Sequence, residues 1–260
     1  MYNSNTAAFS LSYDLDLWGK IRNQVAAGDA QAQASGDDLA VARLSLQHQL
    51  ATLYVQLNGL DAQSRILNSS LEDFSQALQL TRSRYEGQIA SELDLTRAQN
   101  QLAEAKAQLD EVRGQRNLTE HAIGELVGVA ASNFTLPPSR QLIALPGIPS
   151  QLPSHLLQRR PDIAAAERRV FAANANIGVA KAAWYPDFSL TGLIGGQTQG
   201  VGNLLSAGNR YWALGPLVNL PIFDGGRLSA NERQAKAEFE EASAQYRSHV
   251  LKAVREVEDN

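Results

Sequence analysis

The sequence predicts a mainly helical protein built on a long antiparallel helical hairpin, with a few short strands that carry one apolar and one polar face. Three observations predict it. About 65 residues run without proline, and between Leu46 and Leu78 their apolar positions step by four and three, broken only at Ser64. A stop-and-start turn follows, and the same spacing resumes beyond it. Segments near each end of the 260-residue chain instead alternate apolar and polar with period two.

The first element is a strand over residues 8–18. Phe9, Leu11, Tyr13, Leu15 and Leu17 alternate with Ser10, Ser12, Asp14 and Asp16, so one face is apolar and the other polar. The pattern alone fits an edge strand of a soluble sheet. Its length of about ten residues and its aromatic end also fit a membrane-barrel strand. Gly19 and Lys20 make a turn. A helix over 22–86 follows, with its seam at Leu46, Leu50, Leu53, Leu57, Leu60, Leu67, Leu71, Phe74 and Leu78. Such a seam belongs to a supercoiled helix. At 1.5 Å per residue it spans roughly 97 Å, longer than a globular domain of this size is wide, so it must protrude and be supported along its length.

The tip turn covers 87–91. Gly87 is expected to take the left-handed conformation that ends a helix. Ser91 is expected to cap the next helix, with Asp94 three residues on. The return helix, 91–126, repeats the spacing with Leu95, Ala98, Leu102, Ala105, Leu109 and Val112. A proline-rich connector occupies 127–160. Pro161 and Asp162 open an alanine-rich helix, 161–183. Two more strands are expected at 187–196 and 211–223, separated by a polar glycine-rich loop, the second irregular or bulged at Pro216. A last helix runs over 227–260.

The order strand, turn, helix therefore occurs twice. Leu17–Arg22 matches Ile222–Arg227, and Ala32, Ala34, Asp37 and Asp38 match Ala235, Ala237, Glu240 and Glu241 at an offset of 203 residues. The expected strands number three, and the second long helix is about half the length of the first. The N-terminus lacks signal-peptide features. On this reading the chain is cut at both ends.

Four motifs then carry a resemblance. One begins Leu152-Pro153-Ser154-His155-Leu156-Leu157-Gln158-Arg159-Arg160-Pro161-Asp162-Ile163. It continues through Ala172-Ala173-Asn174-Ala175-Asn176-Ile177-Gly178-Val179-Ala180-Lys181 to Tyr185-Pro186 and Ser189-Leu190-Thr191-Gly192. The others are Asp14–Gly19, Arg84–Gly87 with Ser91–Asp94, and Phe223–Arg227. Together they resemble the outer membrane factor family of tripartite efflux systems, the NodT/OprM type with a TolC-like fold.

The resemblance implies a homotrimer with a shared outer-membrane β-barrel over a periplasmic α-barrel, the connector lying at its equator. It further implies a passive exit duct for drugs or other small solutes, served by a periplasmic adaptor and an inner-membrane pump. The expected lipid-facing residues are Phe9, Leu11, Tyr13, Leu15, Trp212, Leu214 and Leu220. Gly87, Ser91, Leu93 and Asp94 are the expected adaptor-docking tip. The family's lipidated N-terminal cysteine has no counterpart in this cysteine-free sequence.

Other functions find little support. A net charge of −4 and the absence of any Lys/Arg run give no nucleic-acid footprint. The histidines at 48, 121, 155 and 249 have no metal-ligand spacing. No nucleophile–base pair or phosphate loop is evident, so neither an enzyme nor a cofactor is expected. A soluble periplasmic coiled-coil scaffold or adaptor is the alternative, because long hairpins occur there too. It has no need for strands with a continuous apolar row.

Overall fold

The computed structural model describes residues 4–139, 147, 159–199 and 206–259. Most of the expected connector beyond Ser139, and the motif up to Gln158, lie outside the described residues. The elements are β1 (Ser4–Leu15), α1 (Lys20–Glu86), α2 (Glu92–Val127), a single 3-10 turn (Ala131–Asn133), α3 (Pro161–Ala182), β2 (Asp187–Gln199), β3 (Arg210–Asn219) and α4 (Arg227–Asp259).

Several boundaries differ from the sequence reading for identifiable reasons. β1 occupies Ser4–Leu15 rather than 8–18. The chain leaves the ladder at Asp16, whose carboxylate accepts hydrogen bonds from the backbone N–H of Ile21 (3.0 Å) and Arg22 (2.9 Å). β2 continues to Gln199, into the expected loop, because Ser4–Ala7 extends β1 and supplies its partners. β3 stops at Asn219 instead of 223. Pro221 lies just beyond and has no N–H to give a ladder. The expected irregularity at Pro216 is absent: the register runs unbroken through Leu190↔Pro216. β3 is an edge strand of this sheet, where proline is tolerated.

The chain divides into two compact units. One comprises the chain up to Val41 and from Gln151 onward. It holds the antiparallel sheet, in the order β1-β2-β3, and a helical layer packed on alanine. Ala27 and Ala30 of α1 form one buried cluster with Ala172 and Ala175 of α3. A methyl is the largest group at these contacts, so the helix backbones approach closely. At Gly178 an added Cβ would lie 2.7 Å from the Asn23 side chain, which is itself held by a 2.7 Å bond to the Gly19 carbonyl. Asp38 pairs with Arg169, and Arg160 binds both Asp162 and Glu256 at 2.8 Å, tying the start of α3 to α4.

Burial does not follow the offset of 203 residues expected for the internal repeat. It would set buried Ala34 opposite exposed Ala237 and exposed Ala32 opposite buried Ala235. The order of elements repeats; these alanines do not correspond.

The second unit, Ala42–Ser150, is the helical hairpin. Asp61 lies 25 residues before the end of α1 and Arg116 lies 24 after the start of α2, and their side chains meet at 2.7 Å. Nearly equal distances from the turn are what an antiparallel pairing requires. The seam residues are buried or half-buried from Leu50 to Leu78, with Leu57 and Leu60 deepest, and Leu109 and Val112 are buried on α2. Leu46 stays exposed.

Candidate membrane-facing sheet and hairpin tip

The register assembles the apolar positions of three strands onto one face. Side chains of directly opposed residues in an antiparallel pair project on the same side. The rows are Phe9–Ile194–Trp212, Leu11–Gly192–Leu214, Tyr13–Leu190–Pro216 and Leu15–Phe188–Val218. The expected residues Phe9, Leu11, Tyr13, Leu15, Trp212 and Leu214 therefore share one surface, and the register adds Leu190, Ile194 and Val218. Leu220 falls beyond the end of β3 and is not part of the ladder. None of the described residues covers this face: Trp212 is 77% exposed and Phe9 69%.

The opposite face has the rows Ser10–Leu193–Ala213, Ser12–Thr191–Gly215 and Asp14–Ser189–Leu217. It is mostly small or polar, with Leu193 and Leu217 as exceptions. On this face the Tyr211 ring covers its cross-strand neighbour Gly195, where an added Cβ would lie 2.9 Å from the ring. Asp16, expected beside Asp14 on the polar face, is instead turned into the start of α1 and receives Arg22 Nε at 3.1 Å.

The strand-to-helix junctions are built from cross-links. Trp18 stacks on Tyr185 with ring centres 4.7 Å apart and donates its indole N–H to the Pro186 carbonyl at 2.9 Å. Lys20 pairs with Asp187 at 3.0 Å, and Trp184 donates to Glu232 at 3.1 Å. At the second junction Asp224 accepts from the backbone N–H of Leu228 (2.7 Å) and Gly226 (2.9 Å). These bonds, the one from Leu228 foremost, hold its carboxyl below the ordinary range. Each junction thus uses an aspartate to satisfy N–H groups at a helix start, Asp16 before its glycine turn and Asp224 at the head of the other.

At the hairpin tip the left-handed residue is Gln88 (φ 61°), and the expectation for Gly87 is corrected. Gln88 N–H bonds the Tyr85 carbonyl (2.9 Å) and Ile89 N–H bonds that of Arg84 (2.8 Å). This pair of bonds is the Schellman termination, with Gln88 where glycine is usual. At Gly87 an added Cβ would sit 3.3 Å from the Ser83 carbonyl oxygen, a tight contact. Ser91 and Asp94 form a full capping box. Ser91 Oγ accepts from Asp94 N–H at 3.2 Å, and the Asp94 carboxylate accepts from Ser91 N–H at 3.2 Å and Oγ at 2.6 Å. The Ser91 hydroxyl chiefly, then its N–H, lowers the Asp94 pKa. Leu93 is 58% exposed and Ile89, which the sequence did not single out, is 81% exposed.

A further cluster had no sequence signal at all. Arg116 on α2 donates to Asp61 on α1 (2.7 Å), to Glu120 (2.6 Å) and to the Leu136 carbonyl (2.7 Å). Glu120 accepts the Leu136 N–H at 2.5 Å, and Asp61 accepts the Ser139 N–H at 3.0 Å. Asp61 is 4% exposed. The separations along the chain reach 78 residues, which no local motif reveals.

A family profile described as outer membrane efflux protein matches residues 1–129 and 152–260. The chain belongs to this family. Outer membrane protein OprJ of Pseudomonas aeruginosa is 33% identical over 249 residues, 95% of this chain and 52% of that protein. Fusaric acid resistance protein FusA of Burkholderia cepacia is 34% identical over 238 residues, 90% of this chain and 45% of that protein. The outer-membrane channel OprN superposes with a TM-score of 0.88 at 31% identity, covering 98% of this chain and 63% of that one. The chain spans about half the length of the curated relatives it matches. Its fold, mainly helical with a small antiparallel sheet, is that of the TolC-like efflux channels.

Proposed function

We propose that this chain forms part of a homotrimeric exit duct of a tripartite efflux pump in the outer membrane of a Gram-negative bacterium. The uncovered apolar face across β1, β2 and β3 carries this reading. A sheet with bulky apolar side chains on one side and Ser10, Ser12 and Asp14 on the other suits a barrel between lipid and an aqueous bore. On this reading Phe9, Leu11, Tyr13, Leu15, Trp212 and Leu214 meet lipid. The hairpins wall the periplasmic tunnel, and the connector 127–160 lies at its equator. Solutes pass passively, driven by an inner-membrane pump through a periplasmic adaptor. A soluble coiled-coil scaffold or adaptor gains nothing from such an apolar face.

The tip would receive the adaptor. Gly87, Ser91 and Asp94 shape the turn, and exposed Leu93 and Ile89 supply apolar contact. Spin labels at Leu11 and Ser12 test the membrane reading. Leu11 should be reached by a lipid-soluble quencher and Ser12 by a water-soluble one; equal access of the water-soluble quencher to both rejects it. For the tip, Leu93→Glu with Ile89→Glu should abolish efflux while trimer assembly persists. Assembled trimers with full efflux would end the docking assignment.

A further inference from the structure

We infer that residues Phe134–Ser139 act as a strap that fixes the spacing of α1 and α2, with Arg116 as its buckle. The segment is bonded to both helices. Ser139 N–H reaches Asp61 on α1, and Leu136 is held by its N–H to Glu120 and by its carbonyl to Arg116, both on α2. Arg116 also joins the two helices directly through Asp61. Asp61 and Glu120 each give one carboxylate oxygen to Arg116 and the other to the strap. Neither helix can move away from the other without breaking an ion pair and a strap hydrogen bond together.

Steric fit points the same way. The Phe134 ring lies on Gly124 of α2, where an added Cβ would be 3.2 Å from it. Phe134 and Leu136 also wall an open apolar groove of about 470 Å³, shared with Leu50, Ala51 and Tyr54 of α1 and Ile123 of α2. The charges are nearly sealed from water, and no buried side-chain polar atom among the described residues lacks a partner. Burial opposes the charged form of Arg116, but Asp61 and then Glu120 outweigh it and raise its pKa. Arg116 is a positioning residue: its planar guanidinium can face three acceptors at once, which a lysine ammonium on a flexible stem holds less well.

The strap makes hairpin spacing and connector attachment one event. The test uses the intact protein with nitroxides on the exposed residues Gln63 and Leu118, together with amide hydrogen exchange. In Arg116→Ala the inter-label distance should broaden, and protection of both the Leu136 and Ser139 amides should fall at least ten-fold. Arg116→Lys should lie between it and the parent. If the alanine variant does not assemble, the near-isosteric Asp61→Asn and Glu120→Gln are compared. Each should loosen both amides together. An unchanged distance, or loss of protection at only the amide bonded to the altered carboxylate, overturns the strap.

Discussion

The sheet and the hairpin solve opposite problems with similar residues. The hairpin turns Leu57, Leu60, Leu109 and Val112 inward and seals an ionic cluster beneath its strap. The sheet turns Phe9, Leu11, Tyr13 and Trp212 outward with none of the described residues over them. In water an apolar face of that extent is unfavourable by about 25 cal/mol per Å². Against hydrocarbon the penalty vanishes. The difference teaches that apolar content does not locate a core: on the proposed reading, the solvent each region meets decides which way the same side chains point.

Breaking the hairpin's buried cluster should have the largest effect. Arg116→Ala leaves Asp61 and Glu120 buried without their cation, and removal of one partner of such a pair costs roughly 3–5 kcal/mol. Denaturant unfolding followed by helical circular dichroism should show it. The sheet tests the other half of the comparison. On the proposed reading, Leu11→Arg at mid-strand on the apolar face should cost roughly 2–4 kcal/mol of folding into bilayers, whereas Ser12→Arg on the opposite face should cost far less. Equal costs would mean that the two faces meet the same solvent.

The alanine layer sharpens the contrast within the helices themselves. Ala175→Leu inserts a side chain where Ala27 and Ala30 already close the gap. Overpacking of this kind costs about 1–3 kcal/mol, to be read as a lowered melting temperature. The tip should respond least. Ser91→Ala removes the cap and should cost about 1 kcal/mol. Gln88→Gly relieves a left-handed side-chain residue and should raise stability by up to about 1 kcal/mol. The two variants have opposite signs, which melting curves resolve.

Acid should act on the caps in a defined direction. The folded-state pKa values of Asp94 and Asp224 lie below the model-compound value of 3.8. Their contribution is therefore complete above that value and is lost as pH falls through the depressed folded values. Thermal stability should fall below about pH 4, and Asp94→Asn should flatten that acid limb.

The sequence by itself determined what depends on near neighbours. Periods of two and of three-to-four residues separate strand from helix, because side-chain direction repeats locally. The Ser91–Asp94 cap was legible because its partners are three residues apart. Pro221 was an available signal for the end of β3. Only the tertiary structure decided contacts between distant segments. The register brought Ile194 beside Phe9 and Trp212, and Arg116 found Asp61, Glu120 and Leu136. Gln88 took the left-handed position because the carbonyls of Arg84 and Tyr85 required the N–H groups of Ile89 and Gln88. Asp16 continued the alternating pattern of the strand, yet its carboxylate turned to the open N–H groups of α1. A buried or terminal backbone group must find a partner wherever one lies in space, and that demand leaves no periodic trace in the chain.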